Sequence, residues 1–179
     1  MQALIYPEKS RTRTTTRFWQ KKPVLQMGSV GTDVLELQKL LTRRGVYTGP
    51  IGGYFDMSVH DAVIEFQHRV FLKEDGIVGP LTWQALDRGA PVNMPVLRYG
   101  SKDGAAITLQ WVLRCTGDYQ VSIDGDFGDR TEAAVKSFQE SNGLVVDGIV
   151  GEETWNALSL AHNRVHAQER SPLSNRRSA

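Results

Sequence analysis

Apolar side chains recur at helical spacing in several short blocks along this chain. Val34, Leu37, Leu40 and Leu41 line one face of a first helix, and Gly45 follows as a stop. Ala62, Val63, Phe66 and Val70 predict a second helix near Ser58 to Val70. A third opens at Pro80, whose missing N–H is no loss at the first helical position. Trp83 and Leu86 supply its apolar face. Polar, glycine-rich segments separate these helices: Thr48 to Tyr54, then Asp75 to Gly79, which reads DGIVG. The plan then returns with Ile107, Leu109, Val112 and Leu113, with Ala134, Val135 and Phe138, and with Trp155 and Leu158. Ser159 to Ala167 can extend the last helix.

The return is a duplication. A shift of 72 residues aligns Pro23–Leu86 with Pro95–Leu158 without a gap, and 27 of the 64 positions are identical. Leu37-Gln38 meets Leu109-Gln110, Phe66-Gln67 meets Phe138-Gln139, and DGIVG recurs unchanged at Asp147–Gly151. A smaller echo lies inside the second copy, where Asp124–Thr131 (DGDFGDRT) and Asp147–Thr154 (DGIVGEET) share one pattern. Its first Gly admits backbone angles closed to other residues, its apolar residue tucks beneath the loop, and its second Gly can cap the next helix. The first copy has lost that pattern at Gly52–Val59, which predicts a distorted start to its second helix. The expected fold is therefore all-α. A basic arm (1–22) precedes repeat one (23–87), a linker (88–94), repeat two (95–160) and a basic tail (161–179).

These motifs resemble the bacterial peptidoglycan-binding domain family of three-helix type. The resemblance rests on the Gly-x-x-Gly opening at Gly28–Gly31, the Leu-Gln of the first helix, and the Gly-x-Phe turns at Gly53–Phe55 and Gly125–Phe127. It rests also on Ala-Val-x-x-Phe-Gln at Ala62–Gln67 and Ala134–Gln139, and on Asp-Gly-x-x-Gly-x-x-Thr-Trp-x-Ala-Leu at Asp75–Leu86 and Asp147–Leu158. Copy two departs at the opening, where Asp103 replaces the second Gly. The resemblance implies a non-catalytic cell-wall attachment module, often fused to a wall hydrolase, that targets or anchors a partner at the wall.

Charge adds one feature. The net charge is +1, yet residues 1–22 and 160–179 together carry +8 and residues 23–159 carry −7. An acidic body with basic arms disfavours nucleic acid as a partner, because the body repels phosphate. The arms read first as solvated, flexible ends, and otherwise as docking segments for the wall, a wall hydrolase, an assembly protein or the acidic face of a second copy. No apolar run approaches the roughly 18 residues of a membrane span, and Met1–Lys22 lacks the apolar core of a Sec-type signal. Localisation is left open. Cys115 is the single cysteine, which excludes an internal disulfide framework.

Candidate chemistry is sparse. His162 and His166 stand at i, i+4 as zinc ligands can, but no general-base Glu lies between them and no further histidine follows. They are expected to face solvent, with no metal site and no cofactor. Asp124, Asp126 and Asp129 lack the distant Glu of a calcium loop and read as turn chemistry. Trp83, Trp155, Phe66, Phe138, Leu37 and Leu109 are expected in the core. Trp111 aligns with Lys39, a surface-type residue, so it is the leading candidate for a ligand contact, followed by Tyr99, Tyr119 and Asp126. The expected function is non-enzymatic peptidoglycan binding. The alternative is a protein–protein scaffold or structural subunit of a phage-tail-like or injection assembly.

Overall fold

The computed structural model describes residues 22–169, and six helices with no extended strand account for its regular structure. In chain order they are α1 (Thr32–Arg43), α2 (Met57–Arg69), α3 (Pro80–Arg88), α4 (Gly104–Thr116), α5 (Asp129–Ser141) and α6 (Glu152–Glu169). The fold is all-α in two tandem three-helix units. The expected basic arm lies outside the described residues apart from Lys22, whose ammonium pairs with Glu36 and Asp33. The expected tail is helical at its start, since α6 runs through Ser159–Ala167 to Glu169. No described helix is long and apolar enough to cross a membrane.

The two units are built alike. Each buries the stripe read from its sequence: Val34, Leu37, Phe66, Trp83 and Leu86 in one, Leu109, Leu113, Phe138, Trp155 and Leu158 in the other. Each Trp also donates its indole N–H to the carbonyl of the proline that opens its repeat, Trp83 to Pro23 at 2.9 Å and Trp155 to Pro95 at 2.8 Å. The first residues of a repeat are thereby tied to its last helix. Paired backbone bonds between Leu25 and Val78, and between Leu97 and Val150, close the same ring.

Two local departures follow from side-chain chemistry. Asp103, which replaces the second opening glycine, caps α4 by accepting from Ala106 N–H at 3.0 Å, while Gly31 reaches the same place with a φ of 119°. Asp56 likewise caps α2 by accepting from Val59 N–H, so the expected distortion is absent: an aspartate does there what Gly128 does for α5. Ile107 was expected in the core. It is 50% exposed, because Ala106 occupies the buried position that Val34 holds in repeat one.

The units are joined through a seam. Helix α6 packs on α4 of its own repeat and on α2 of the other. Ser159 Oγ donates to the Arg69 carbonyl at 2.6 Å, which satisfies an orphan acceptor at the end of α2. Phe71 adopts a left-handed φ of 58° and packs edge-on to Trp155, with ring centroids 5.8 Å apart. Its counterpart in repeat two is Gly143, at φ 66°. A non-glycine residue in this region costs about 1–2 kcal/mol, so the aromatic contact is made against local strain. The linker is docked too, with Val92 in the first core and Met94 against the second.

Trp83→Ala and Trp155→Ala are each expected to cost about 3–5 kcal/mol, read as a lowered denaturation midpoint. Trp111→Ala, which removes a seam residue, is expected to leave each unit folded. It should resolve calorimetric unfolding into two transitions where the native chain shows one.

Candidate functional site

Four glutamines, Gln38, Gln67, Gln110 and Gln139, are almost wholly buried, and each grips a glycine turn. Gln139 shows the arrangement. Its Oε1 accepts from Gly148 N–H at 2.9 Å, and its Nε2 donates to Asp147 Oδ1 at 2.9 Å and to the Ile149 carbonyl at 3.0 Å. Thr154 Oγ1 donates to that same carbonyl at 3.3 Å. Gln67 repeats it on Asp75, Gly76, Ile77 and Thr82, and Gln110 on Asp124, Gly125, Asp126 and Thr131. The echo within repeat two is thus a repeated side-chain clamp. In repeat one, Gly52 and Val59 stand where the Asp and Thr would be. Gln38 keeps only the Gly53 N–H and the Tyr54 carbonyl, at 2.9 and 3.1 Å.

The clamps set the charge of the turns. The Asp147 carboxyl is held below its ordinary value by the Ile149 N–H and then by Gln139. That of Asp124 is lowered by the Asp126 N–H and then by Gln110. At Asp75 burial pushes upward, but the Ile77 N–H, Gln67 and Lys73 outweigh it and the net direction is down.

Two hollows open beside the clamps of repeat two. One, of about 500 Å³, is bordered by Leu144, Val145, Ile149, Glu153, Thr154 and Asn156. The other, of about 270 Å³, is bordered by Tyr119, Val121, Asp124, Asp126, Asp129 and Arg130. A third hollow, of about 390 Å³ and more apolar, lies at the seam between His68, Phe71, Leu72, Ile107, Trp111 and Ile123.

The sequence candidates divide among these places. Asp126 and Tyr119 meet at the 270 Å³ hollow. Tyr119 is buried there and donates its hydroxyl to the Ser122 carbonyl at 3.1 Å, as Tyr47 does to Pro50 at 2.9 Å, which makes it part of the turn. Asp126 pairs with Lys102 at 2.9 Å, and Tyr99 is 61% exposed on the same unit. Trp111 differs from the expectation of a free surface. It is half-buried in the seam, with its ring centroid 4.8 Å from that of His162. Lys39 gave the wrong guide: it is exposed on α1, whereas α6 packs on α4 beside Trp111.

The histidines also depart from expectation. His162 does not face solvent; it is 0% exposed. Burial first, then the neighbouring His166 and His68, push its pKa down to about 4. His68 completes a group that the local i, i+4 spacing could not announce.

Comparison with known proteins bears on what these surfaces serve. The profile of the family described as "Putative peptidoglycan binding domain" matches residues 30–86 and again 102–158. The chain is 37% identical over 117 residues to N-acetylmuramoyl-L-alanine amidase CwlM of Mycobacterium tuberculosis, covering 62% of this chain and 29% of that protein. It is 34% identical over 153 residues to a probable N-acetylmuramoyl-L-alanine amidase of Bacillus licheniformis, covering 73% of this chain and 43% of that protein. It is 42% identical over 76 residues to the spore cortex-lytic enzyme of Bacillus subtilis, covering 42% and 24% respectively. The chain thus spans less than half the length of these relatives. The non-enzymatic expectation is corrected by these matches, since the relatives bear the names of wall-cleaving enzymes.

Gln139→Leu is expected to cost about 1–3 kcal/mol in a denaturation series, because Gly148 N–H is left buried without an acceptor. The lowered carboxyl pKa values fix the acid response. Their stabilisation is fully present above the ordinary value of 3.8 and is lost as pH falls through the lowered native values. Urea midpoints measured from about pH 5 to about pH 2 should fall less steeply in the Asp75→Asn/Asp147→Asn variant than in the native chain.

Proposed function

The chain belongs to the peptidoglycan-binding domain family in both of its halves, and from that premise we propose that it grips bacterial peptidoglycan and serves the cleavage of the wall. The observation that carries the reading is the doubled family match on units that the seam holds in fixed relation. The polymer repeats amide, hydroxyl and carboxylate groups along each strand. One shallow hollow binds such groups weakly. Two sites at fixed spacing raise the effective concentration of the second contact, provided the spacing suits the polymer.

On repeat two the reading favours the surface around Asp126, Lys102 and Tyr99. The carboxylate can accept from sugar hydroxyls and stem-peptide amides, the ammonium can meet stem-peptide carboxylates, and the exposed phenol ring can lie against a sugar face. The link to cleavage rests on the relatives, whose names are those of amidases and cortex-lytic enzymes.

The test is co-sedimentation of the full chain with purified, insoluble sacculi at low and moderate salt. Binding is expected in both, and a chain that stays in the supernatant in both would refute the reading. Tyr99→Ala combined with Asp126→Ala should weaken sedimentation about tenfold while leaving the unfolding midpoint near native. Assay of the same samples for soluble muropeptides locates the cleaving activity relative to this chain.

A further inference from the structure

Three of the four histidines of the chain converge at the seam. His68 comes from the last turn of α2 in repeat one, and His162 and His166 sit one turn apart on α6. One ligand nitrogen from each lies within 4.8 Å of those of the other two. The ring centroids are 4.3 Å apart for His162 and His166, 5.1 Å for His68 and His162, and 5.4 Å for His68 and His166.

The surroundings of two of these rings suit ligation. His68 Nδ1 is 2.8 Å from Glu74 Oε1, an arrangement that orients the imidazole and presents Nε2 as a lone pair. His162 is 0% exposed, and neither of its ring nitrogens has a hydrogen-bond partner. A buried polar ring in that condition is costly unless something else satisfies it.

We infer that His68, His162 and His166 form a binding site for a borderline divalent metal ion of the zinc class, which ties repeat one to repeat two. Three imidazole ligands suit zinc, nickel or copper, whereas calcium and magnesium require oxygen ligands. Zinc–nitrogen bonds of about 2.0–2.1 Å at the tetrahedral angle place ligand nitrogens about 3.4 Å apart, so the rings close inward on binding. His68 and His166 are half-exposed and turn toward the fixed, buried His162. A cavity of about 40 Å³, bordered by Glu65, His68, Arg69, Asn163, His166 and Ala167, opens beside His68 and His166 and leaves room for water as a fourth ligand. Trp111 covers the group, with its ring centroid 4.8–6.3 Å from those of all three histidines.

The site is not a property of one repeat. The position equivalent to His68 in repeat two is Glu140, and His162 and His166 lie beyond residues 102–158. Because the ligands come from α2 of repeat one and from the extension of α6 beyond repeat two, the ion locks the relative placement of the two units. It strengthens the seam already made by Phe71, Trp155 and Ser159.

The test uses the full chain without a histidine tag, stripped of metal by a chelator. Titration calorimetry with Zn²⁺ at neutral pH should show a single equivalent bound, with a rise in melting temperature that grows with free Zn²⁺. His68→Gln and His166→Gln, both at half-exposed positions, should each weaken binding by about a hundredfold or more and abolish that rise. His60→Gln, outside the group, should change neither. Glu74→Gln, which removes the partner of His68, should weaken binding by about tenfold to a hundredfold. With Co²⁺, visible absorption should show nitrogen coordination and no thiolate charge-transfer band. Failure of the native chain to bind Zn²⁺ stoichiometrically would overturn the site. So would binding unchanged in folded His68→Gln, or a thiolate band that identifies Cys115 as a ligand.

Discussion

A buried glutamine amide holding a glycine turn is the contact on which each unit depends. The turns between helices must pass close to the core, where backbone N–H and C=O groups cannot be left to water. A glutamine on the preceding helix supplies an acceptor and two donors from one side chain, enough for the glycine N–H, the following carbonyl and an aspartate at once. Asp, Gly and Thr then follow as requirements of the same clamp. The aspartate receives the spare amide hydrogen, the glycine takes a left-handed φ, and the threonine completes the carbonyl. Repetition of this unit makes the turns rigid, and the two hollows of repeat two are bordered by clamped residues.

Duplication gave two copies of one plan, and the seam shows where they diverged. Lys39 became a half-buried Trp111, Gly143 is matched by a strained Phe71, and Glu140 is matched by His68. All three changes lie where α2, α4 and α6 meet. A tandem pair joined only by a linker would reorient freely and gain less from a second site. Shared aromatic packing and a carbonyl of one repeat bound by a serine of the other oppose that freedom. Such a pair suits a repeating polymer of the kind its family is named for.

Periodicity and internal repetition were enough to determine the all-α class, the six helices, the buried Trp83 and Trp155, and the turn and capping roles of the glycines in the Asp-Gly-x-apolar-Gly motif. Those features depend on neighbours within one or two turns, where side-chain direction follows from spacing. The Gln, Asp, Gly and Thr of the clamp were visible as motif letters. Their joint purpose was not, because it needs side chains up to 21 residues apart to meet. Only the tertiary structure decided which faces became the seam. A lysine-to-tryptophan exchange reads as exposure if each repeat is considered alone, and as burial once α6 crosses over α4. His162 and His166 read as solvent-facing because the third histidine is 94 residues before His162 and in the other repeat. Sequence spacing encodes what one helix presents; the packing of separate helices decides what that face meets.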